Sequence, residues 1–307
     1  MIINRRPLGS TGLQVSELGF GALEIGRDWA PDVNSDPSHP DEMEATRVLN
    51  GLLDLGVNFI DTAPAYWSSE EFIGRAISHR RSEFILATKV GEHCDRNGSF
   101  YDYSAEATTR FVDQSLARLK TDVIDLLQIH SASMEVLERG ETLSAMQAAQ
   151  RAGKVRHLGM TGGVAECVRA LELGGYETVQ FPYNLLNLAA EDRLLALARE
   201  KNAGVIIMRG IAGGKLSAKF ENLKDEKLKD AIRGFLKYVG PEPGKARDLV
   251  HLSLGYLLSR PEVSSVIIGT RRLDTVAANA EAAAQALSPS LLAEARDYAL
   301  SLRGSIW

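Results

Sequence analysis

"FIDTAPAYWSSEEFIGRA", Phe59–Ala76, ends a very apolar run with an acid and places a tyrosine five residues further on. Asp61 follows Val57, Phe59 and Ile60, so it stands where a buried strand runs out. Tyr66 lies in a short loop ahead of Ser68-Ser69-Glu70-Glu71. An acid at a strand end with a phenol in the loop beyond it points to a site, because binding and catalytic residues concentrate on loops held by a rigid scaffold.

The strand in that stretch is one of a series. Apolar runs of strand length occur at 18–23, 58–63, 84–90, 123–130, 155–162, 178–184, 204–210 and 263–270. They are continuous rather than alternating, as strands covered on both faces should be. Between them lie segments of helical period. In 41–56 Ala45, Val48, Leu49, Leu52 and Leu53 share one face, and in 105–120 Thr108, Phe111, Val112, Leu116 and Leu119 do. Eight strand–helix units with crossovers long enough to return parallel predict an α/β fold, a (β/α)8 barrel. A doubly wound open sheet is the alternative, weakened because "GFGALEIG" after the first strand has its glycines at the wrong spacing for a dinucleotide turn.

Residues 5–16, with a Gly-Ser-Thr-Gly centre, read as an N-terminal hairpin. Residues 27–40 form a Pro/Asp/Ser loop after the first strand, and 214–244 a Lys-rich excursion after the seventh. Both fall at the C-terminal face of a barrel, where loops build active sites. No linker divides the chain, so 1–307 is expected to be a single domain.

Composition narrows the function. The 307 residues are 45% hydrophobic and 24% charged, with a formal charge of -5. Interspersed signs argue against a nucleic-acid surface, and no apolar run approaches the roughly 20 residues a bilayer needs. The N-terminus lacks the apolar segment of a signal peptide, and two cysteines, Cys94 and Cys167, make no framework of bridges. The expectation is a cytoplasmic protein acting on a small molecule. Neither the cysteines nor the six histidines show ligand spacing, so no metal is expected.

Aligning strand ends brings Asp61, Tyr66, Lys89 in strand three and His130 at the end of strand four to one mouth. Each has an ordinary structural alternative: a helix cap, a core aromatic, a snorkelling lysine, a histidine bound to a backbone carbonyl. Together they make a proton-donating set. A phenol with a pKa of about 10 is a poor acid near neutrality, and a neighbouring ammonium lowers it. Lys89 can supply that charge, and Asp61 the anion a buried lysine needs. His130 can orient a substrate oxygen while Tyr66 protonates it, and the hydride must come from a nicotinamide, since no side chain delivers one.

With these residues in view the chain resembles an aldo-keto reductase over essentially its full length. The motifs that carry the likeness are "RPLGSTGLQVSELGFGA", "FIDTAPAYWSSEEFIGRAI", "FILATKVG", "DLLQIHS", "GKVRHLGMTG", "VQFPYNLLN" and "SVIIGTRRLDTVAANAEAA". The resemblance implies that Asp61, Tyr66, Lys89 and His130 form the catalytic tetrad with Tyr66 as general acid or base. It further implies a cofactor extended across the barrel mouth, with Asp61, Gly21 and Ala22 near the nicotinamide ribose and Gln180 on the carboxamide. Gly269, Thr270, Arg271, Arg272 and Asn279 are matched to the adenosine phosphate and adenine. Guanidinium groups there favour a 2′-phosphate, hence NADPH, with NADH as the alternative.

Three positions depart from the family's pattern. Thr161-Gly162 stand where a Ser-Asn pair usually holds the carboxamide. Met208 stands where a tyrosine often stacks on the nicotinamide ring, and Trp67 where glycine usually follows the catalytic tyrosine. Trp67 and Arg209 are accordingly candidate substrate contacts beside His130, the alternatives being that Trp67 packs under the 27–40 loop and that Arg209 pairs with an acid or a cofactor phosphate. His93 and Cys94 are candidates to line the pocket. The implied activity is NAD(P)H-dependent reduction of an aldehyde or ketone, or oxidation of a sugar lactol or secondary alcohol in reverse. The other readings are a nicotinamide-binding regulatory subunit and a redox-neutral enzyme with recycled NADP. Oligomeric state and physiological substrate are left open.

Overall fold

The computed structural model describes residues 3–27, 41–95 and 98–305. Eight parallel strands form its centre: β1 Leu18–Gly21, β2 Phe59–Asp61, β3 Ile85–Val90, β4 Ile124–His130, β5 Val155–Thr161, β6 Thr178–Pro182, β7 Gly204–Met208 and β8 Val263–Ile268. Each pairs with its neighbours in chain order, and β8 returns to β1 through Ile268 opposite Phe20, which closes the barrel. That last pairing excludes the open sheet. Around it run α1 Glu42–Asp54, α2 Ser69–Ile77, α3 Ala105–Leu119, α4 Glu141–Arg151, α5 Val164–Leu173, α6 Leu194–Glu200, α7 Leu249–Leu258 and α8 Leu273–Ala284.

The continuous apolar runs are explained by parity. Along a strand alternate residues face opposite ways, and here both faces are dry. Ile60, Leu86, Leu127 and Ile129 pack outward against the helices. Phe59, Ala87, Leu126, Ile206 and Ile267 point inward and fill the barrel. Gly19 is inward as well, because a Cβ there would stand 2.9 Å from the Phe59 ring. The expected faces of α1 and α3 are buried, with Leu116 partly so.

The N-terminal hairpin forms as expected: Arg5–Pro7 pairs antiparallel with Gln14–Ser16. Its Leu8 and Val15 join the inner cluster and stopper the N-terminal end of the barrel. A C-terminal helix, Pro289–Ser301, ends the fold, and the 214–244 excursion contains the helix Glu226–Arg233. Of the predicted 27–40 loop only Arg27 lies within the described residues. Most strands stop before their apolar runs do. Ala22-Leu23, Thr62-Ala63, Arg209-Gly210 and Gly269-Thr270 lie beyond the strand ends at the C-terminal mouth. A second antiparallel hairpin, Glu92–Asp95 with Gly98–Tyr101, rises from the end of β3.

Candidate active site

Strand parity builds the site in one layer. Asp61, Lys89, Gln128 and Gln180 are the inward residues near the ends of β2, β3, β4 and β6, and all four are at most 1% exposed. Lys89 Nζ donates to Asp61 Oδ2 at 2.7 Å and to the Thr62 carbonyl at 2.8 Å. Gln128 Nε2 donates to Asp61 Oδ1 at 3.0 Å, and Gln180 Nε2 to Oδ2 at 3.3 Å. Burying two ions is strongly unfavourable unless they are paired and their remaining valences hydrogen-bonded, and this cage of amides and one carbonyl meets that condition.

Tyr66 ends the short helix Pro64–Tyr66, and its ring lies 4.7 Å from Lys89 Nζ. The His130 ring stands edge-on to it, centroids 6.0 Å apart. The four sequence-predicted residues therefore meet at one mouth. Burial works against the Lys89 charge, but Asp61 and then Tyr66 more than offset it, so the ammonium is held above its usual range. Burial pushes the Tyr66 phenol up, and the neighbouring Lys89 only partly counters it. This corrects the expected direction: burial dominates, and the carboxylate of Asp61 opposes the pull of the ammonium. Burial, reinforced by Lys89 and Arg27, holds His130 well below its usual value, so the imidazole is neutral.

The ends of β1 and β8 also meet, as the cofactor expectation requires. A Cβ on Gly269 would lie 3.3 Å from the Gly21 carbonyl, and Thr270 and Asn279 line one small cavity with Phe20 and Val276. Arg271 Nε donates to the Glu24 carbonyl at 2.9 Å. Arg272 forks onto Asp274, Nε to Oδ1 at 3.1 Å and Nη2 to Oδ2 at 2.5 Å. Around the layer, Ala22 is buried at the start of the turn after β1, bonding the Asp61 carbonyl through its N–H. Thr161 is buried, Gly162 N donates to the Gln180 carbonyl at 3.0 Å, and Met208 packs on the inner cluster. Gln180 Oε1 and Gln128 Oε1 are buried without a hydrogen-bond partner while their amide nitrogens are engaged by Asp61. A primary carboxamide of a nicotinamide fits that need, since it brings the N–H donors the Gln180 oxygen lacks.

Trp67 and Arg209 share an unusual backbone. Both have positive φ, 53° and 55°, and Trp67 combines it with ψ -108°. A bulky residue there is strained, and such strain clusters at functional sites. Trp67 is 37% exposed beside Tyr66, and Arg209 is exposed at the end of β7 with its carbonyl accepting from Asn184. His93 is not turned to the mouth: its ring packs against Phe111 of α3. Cys94, on the opposite face of the hairpin, accepts from Arg27 Nη1 at 3.1 Å.

Sequence reasoning missed Gln128 and Glu92. Gln128 was legible, since it stands two residues before His130 in the same strand and so shares its face. Glu92 was not: Asn97-Gly98 announces a turn, but nothing local says that the hairpin sets Glu92 against His130. Its Oε2 lies 3.1 Å from His130 Nδ1.

The model of the Aldo/keto reductase family matches residues 17–298. The chain belongs to this family of oxidoreductases. Among solved structures it is similar to the holo form of the aldo-keto reductase AKR11C1 of Bacillus halodurans, with a TM-score of 0.83, 28% identity, and 99% of this chain and 98% of that one covered. The L-galactose dehydrogenase of Arabidopsis thaliana is 30% identical over 91% of this chain and 88% of its own length. The NADH-specific methylglyoxal reductase of Escherichia coli is 29% identical over 69% of this chain and 68% of its own. Among the described residues no helix is long and apolar enough to cross a membrane, and no cluster of metal-ligating side chains occurs.

Proposed function

We propose that the chain reduces an aldehyde or ketone with NAD(P)H, or oxidises a sugar lactol or secondary alcohol in reverse, with Tyr66 as general acid or base. The observation that carries this is Lys89 Nζ, held by Asp61 at 2.7 Å and set 4.7 Å from the centre of the Tyr66 ring at the open end of the barrel. A bound nicotinamide supplies or accepts the hydride. The side chains handle the proton. In reduction Tyr66 gives its hydroxyl proton to the oxygen that gains charge, and the Lys89 ammonium stabilises the phenolate left behind. In oxidation the same phenolate, poised by Lys89, takes the proton back. Asp61 keeps Lys89 charged, and His130 orients the substrate oxygen.

Gln180, Thr161 and Gly162 would hold the carboxamide, Gly21 and Ala22 the ribose, Met208 the ring, and Arg209 a phosphate or the substrate. Gly269, Thr270, Arg271, Arg272 and Asn279 would hold the adenosine end. Two guanidinium groups favour NADPH, while the Asp274 carboxylate on Arg272 opposes a 2′-phosphate. We therefore expect NADPH to bind more tightly than NADH by only about tenfold. A cytoplasmic location is part of this reading, supported by Cys94 and Cys167 forming no disulfide.

Fluorescence titration with NADPH and NADH, followed by a panel of aldoses, aromatic aldehydes and secondary alcohols read at 340 nm, tests the proposal. Tight binding with turnover supports it. Binding without turnover on every carbonyl and alcohol would overturn it in favour of a regulatory or redox-neutral role.

A further inference from the structure

Arg27 brings a positive charge to the mouth that the fold does not neutralise. It closes the one-turn helix Leu23–Gly26 beyond β1, its N–H bonding the Leu23 carbonyl at 2.9 Å. That turn lies directly on the Tyr66 loop, since a Cβ on Gly26 would come within 1.9 Å of the Tyr66 carbonyl oxygen. From there the Arg27 side chain crosses to the hairpin that follows β3, where Nη1 donates to Cys94 Sγ at 3.1 Å. Sulfur is a weak acceptor. The Arg27 Nε is buried with no hydrogen-bond partner, and among the described residues no carboxylate pairs with the guanidinium. Glu92, two residues before Cys94, is engaged instead by Tyr101 and lies 3.1 Å from His130 Nδ1.

Other half-buried arginines of the barrel are treated differently. Arg81 has Asp125 at 2.6 Å and Arg118 has Glu70 at 3.3 Å. A guanidinium cannot shed its charge, and a buried donor left unmet costs stability, so an unpaired one beside a catalytic mouth calls for an anion from outside the chain. Its field already reaches the site: burial, then Lys89, then Arg27 keep His130 neutral. Glu92 against His130 and Cys94 against Arg27 are two residues apart on one strand, which sets the guanidinium about 7 Å from the histidine. That span suits a short carbon chain with the reacting carbonyl at one end and an acid at the other.

The residues assigned to the adenosine end of the cofactor lie on the other side of the same turn. β8 and β2 flank β1, and Arg271 comes from the β8 side, its Nε donating to the Glu24 carbonyl at 2.9 Å. Arg27 reaches toward the β3 hairpin, away from them. A single planar fork matches a carboxylate, whereas a phosphate dianion would call for a second cation where Glu92 stands.

We propose that Arg27 is a specificity-determining residue that binds a carboxylate at the far end of the substrate, so that the preferred substrates are aldehydes or ketones joined by a short carbon chain to an acid. This deepens the reductase reading and rests on it. In the oxidative direction the corresponding substrates are hydroxy acids.

Succinic semialdehyde and butyraldehyde, equal in chain length and differing in the terminal carboxylate, form the kinetic pair. The parent protein should prefer the acid in kcat/KM, chiefly through KM. Arg27→Gln should shrink that preference about 10- to 100-fold, the range for a charge-assisted hydrogen bond, and Arg27→Lys should keep part of it. Calorimetric titration with succinate, which cannot react, should show binding to the parent and a matching loss in Arg27→Gln. Since its charge is unmet, Arg27→Gln should melt no lower than the parent, and NADPH should bind both alike. No preference for the acid in the parent, or an equal preference in Arg27→Gln, would overturn the proposal. A fall in NADPH affinity that tracked the lost preference would overturn it too, by giving Arg27 to the cofactor. If neither aldehyde turned over, the reductase reading would be in question, while succinate would still decide the anion site: binding lost in Arg27→Gln supports it, and equal binding overturns it.

Discussion

Two buried carboxylates of this barrel sit among cations and hydroxyls, yet they are finished differently. Glu191 accepts from Tyr183 Oη at 2.5 Å, from Tyr256 Oη and from Arg296 Nε at 2.7 Å, with Arg260 Nη2 3.2 Å away. Its partners come from the β6 loop, α7 and the C-terminal helix, so the network ties three elements together. Asp61 is more deeply enclosed, and the groups around it leave work undone: two glutamine oxygens without donors and a lysine pressed against a phenol rather than forked onto a second acid. The carboxylate that staples the fold is held by phenols and guanidiniums of three elements. The one in the site is held by an ammonium that also faces the Tyr66 ring and by amides whose oxygens have no donor.

The sharpest break in that comparison is at Lys89. Lys89→Met leaves Asp61 buried without its counter-charge, which costs about 3–5 kcal/mol of stability and also removes the stabiliser of the Tyr66 phenolate. Thermal or urea unfolding should show the loss. Adding Asp61→Asn should restore much of the stability and none of the turnover. If the double variant were as unstable as the single, the pair would be structural in the way Glu191 is.

Tyr66→Phe separates chemistry from structure. Its hydroxyl hydrogen-bonds Lys89, which Asp61 and the Thr62 carbonyl still hold in the variant, so melting and NADPH affinity should stay near those of the parent. Turnover should fall by about 10²–10⁴, the range for loss of a positioned proton donor. Near-normal turnover would sink the assignment. Because burial raises the phenol's pKa, reduction should hold through neutral pH and decline only in alkali. Oxidation should instead rise with pH as the phenolate becomes available.

For Glu191 the effect should fall on stability alone. Burial raises its pKa, but the two tyrosines and Arg296 outweigh that and hold it below the usual carboxylate range. A depressed folded-state pKa stabilises above the unfolded value of about 4.3 and is lost as pH falls through the folded one. Glu191→Gln should therefore cost about 1–3 kcal/mol at pH 7, with the difference from the parent shrinking below about pH 4. kcat should hardly move. A large loss of turnover at unchanged stability would contradict the division between the two carboxylates.

Most of the barrel was legible because buried parallel strands write unbroken apolar runs, and each such run found a strand. The strand ends were not, since Thr62, Arg209 and Gly269 are as acceptable to a strand as to the turns they occupy. The Asp61, Tyr66, Lys89 and His130 set was legible through strand-end alignment. Its electrostatics were only half so: sequence gives the ammonium beside the phenol, but not how deeply burial and Asp61 oppose it. Glu92 depends on contacts between a loop and a strand distant in sequence, and no local pattern announces those.

Trp67 offers the smallest effect and the finest distinction, because there the usual ranking of residues should invert. Its φ of 53° with ψ -108° suits glycine and strains any side chain. Trp67→Ala loses the packed part of the indole and keeps the strain. Trp67→Gly loses the same packing and releases it, so the glycine variant should be the more stable of the two by about 1–2 kcal/mol, against the ordinary advantage of alanine. Denaturant midpoints of the pair measure this directly. Both variants should raise KM for bulky substrates, since both open the same face beside Tyr66. An alanine variant as stable as the glycine one would mean that the backbone at the mouth relaxes freely, and that Trp67 is held by its packing rather than by the demands of the site.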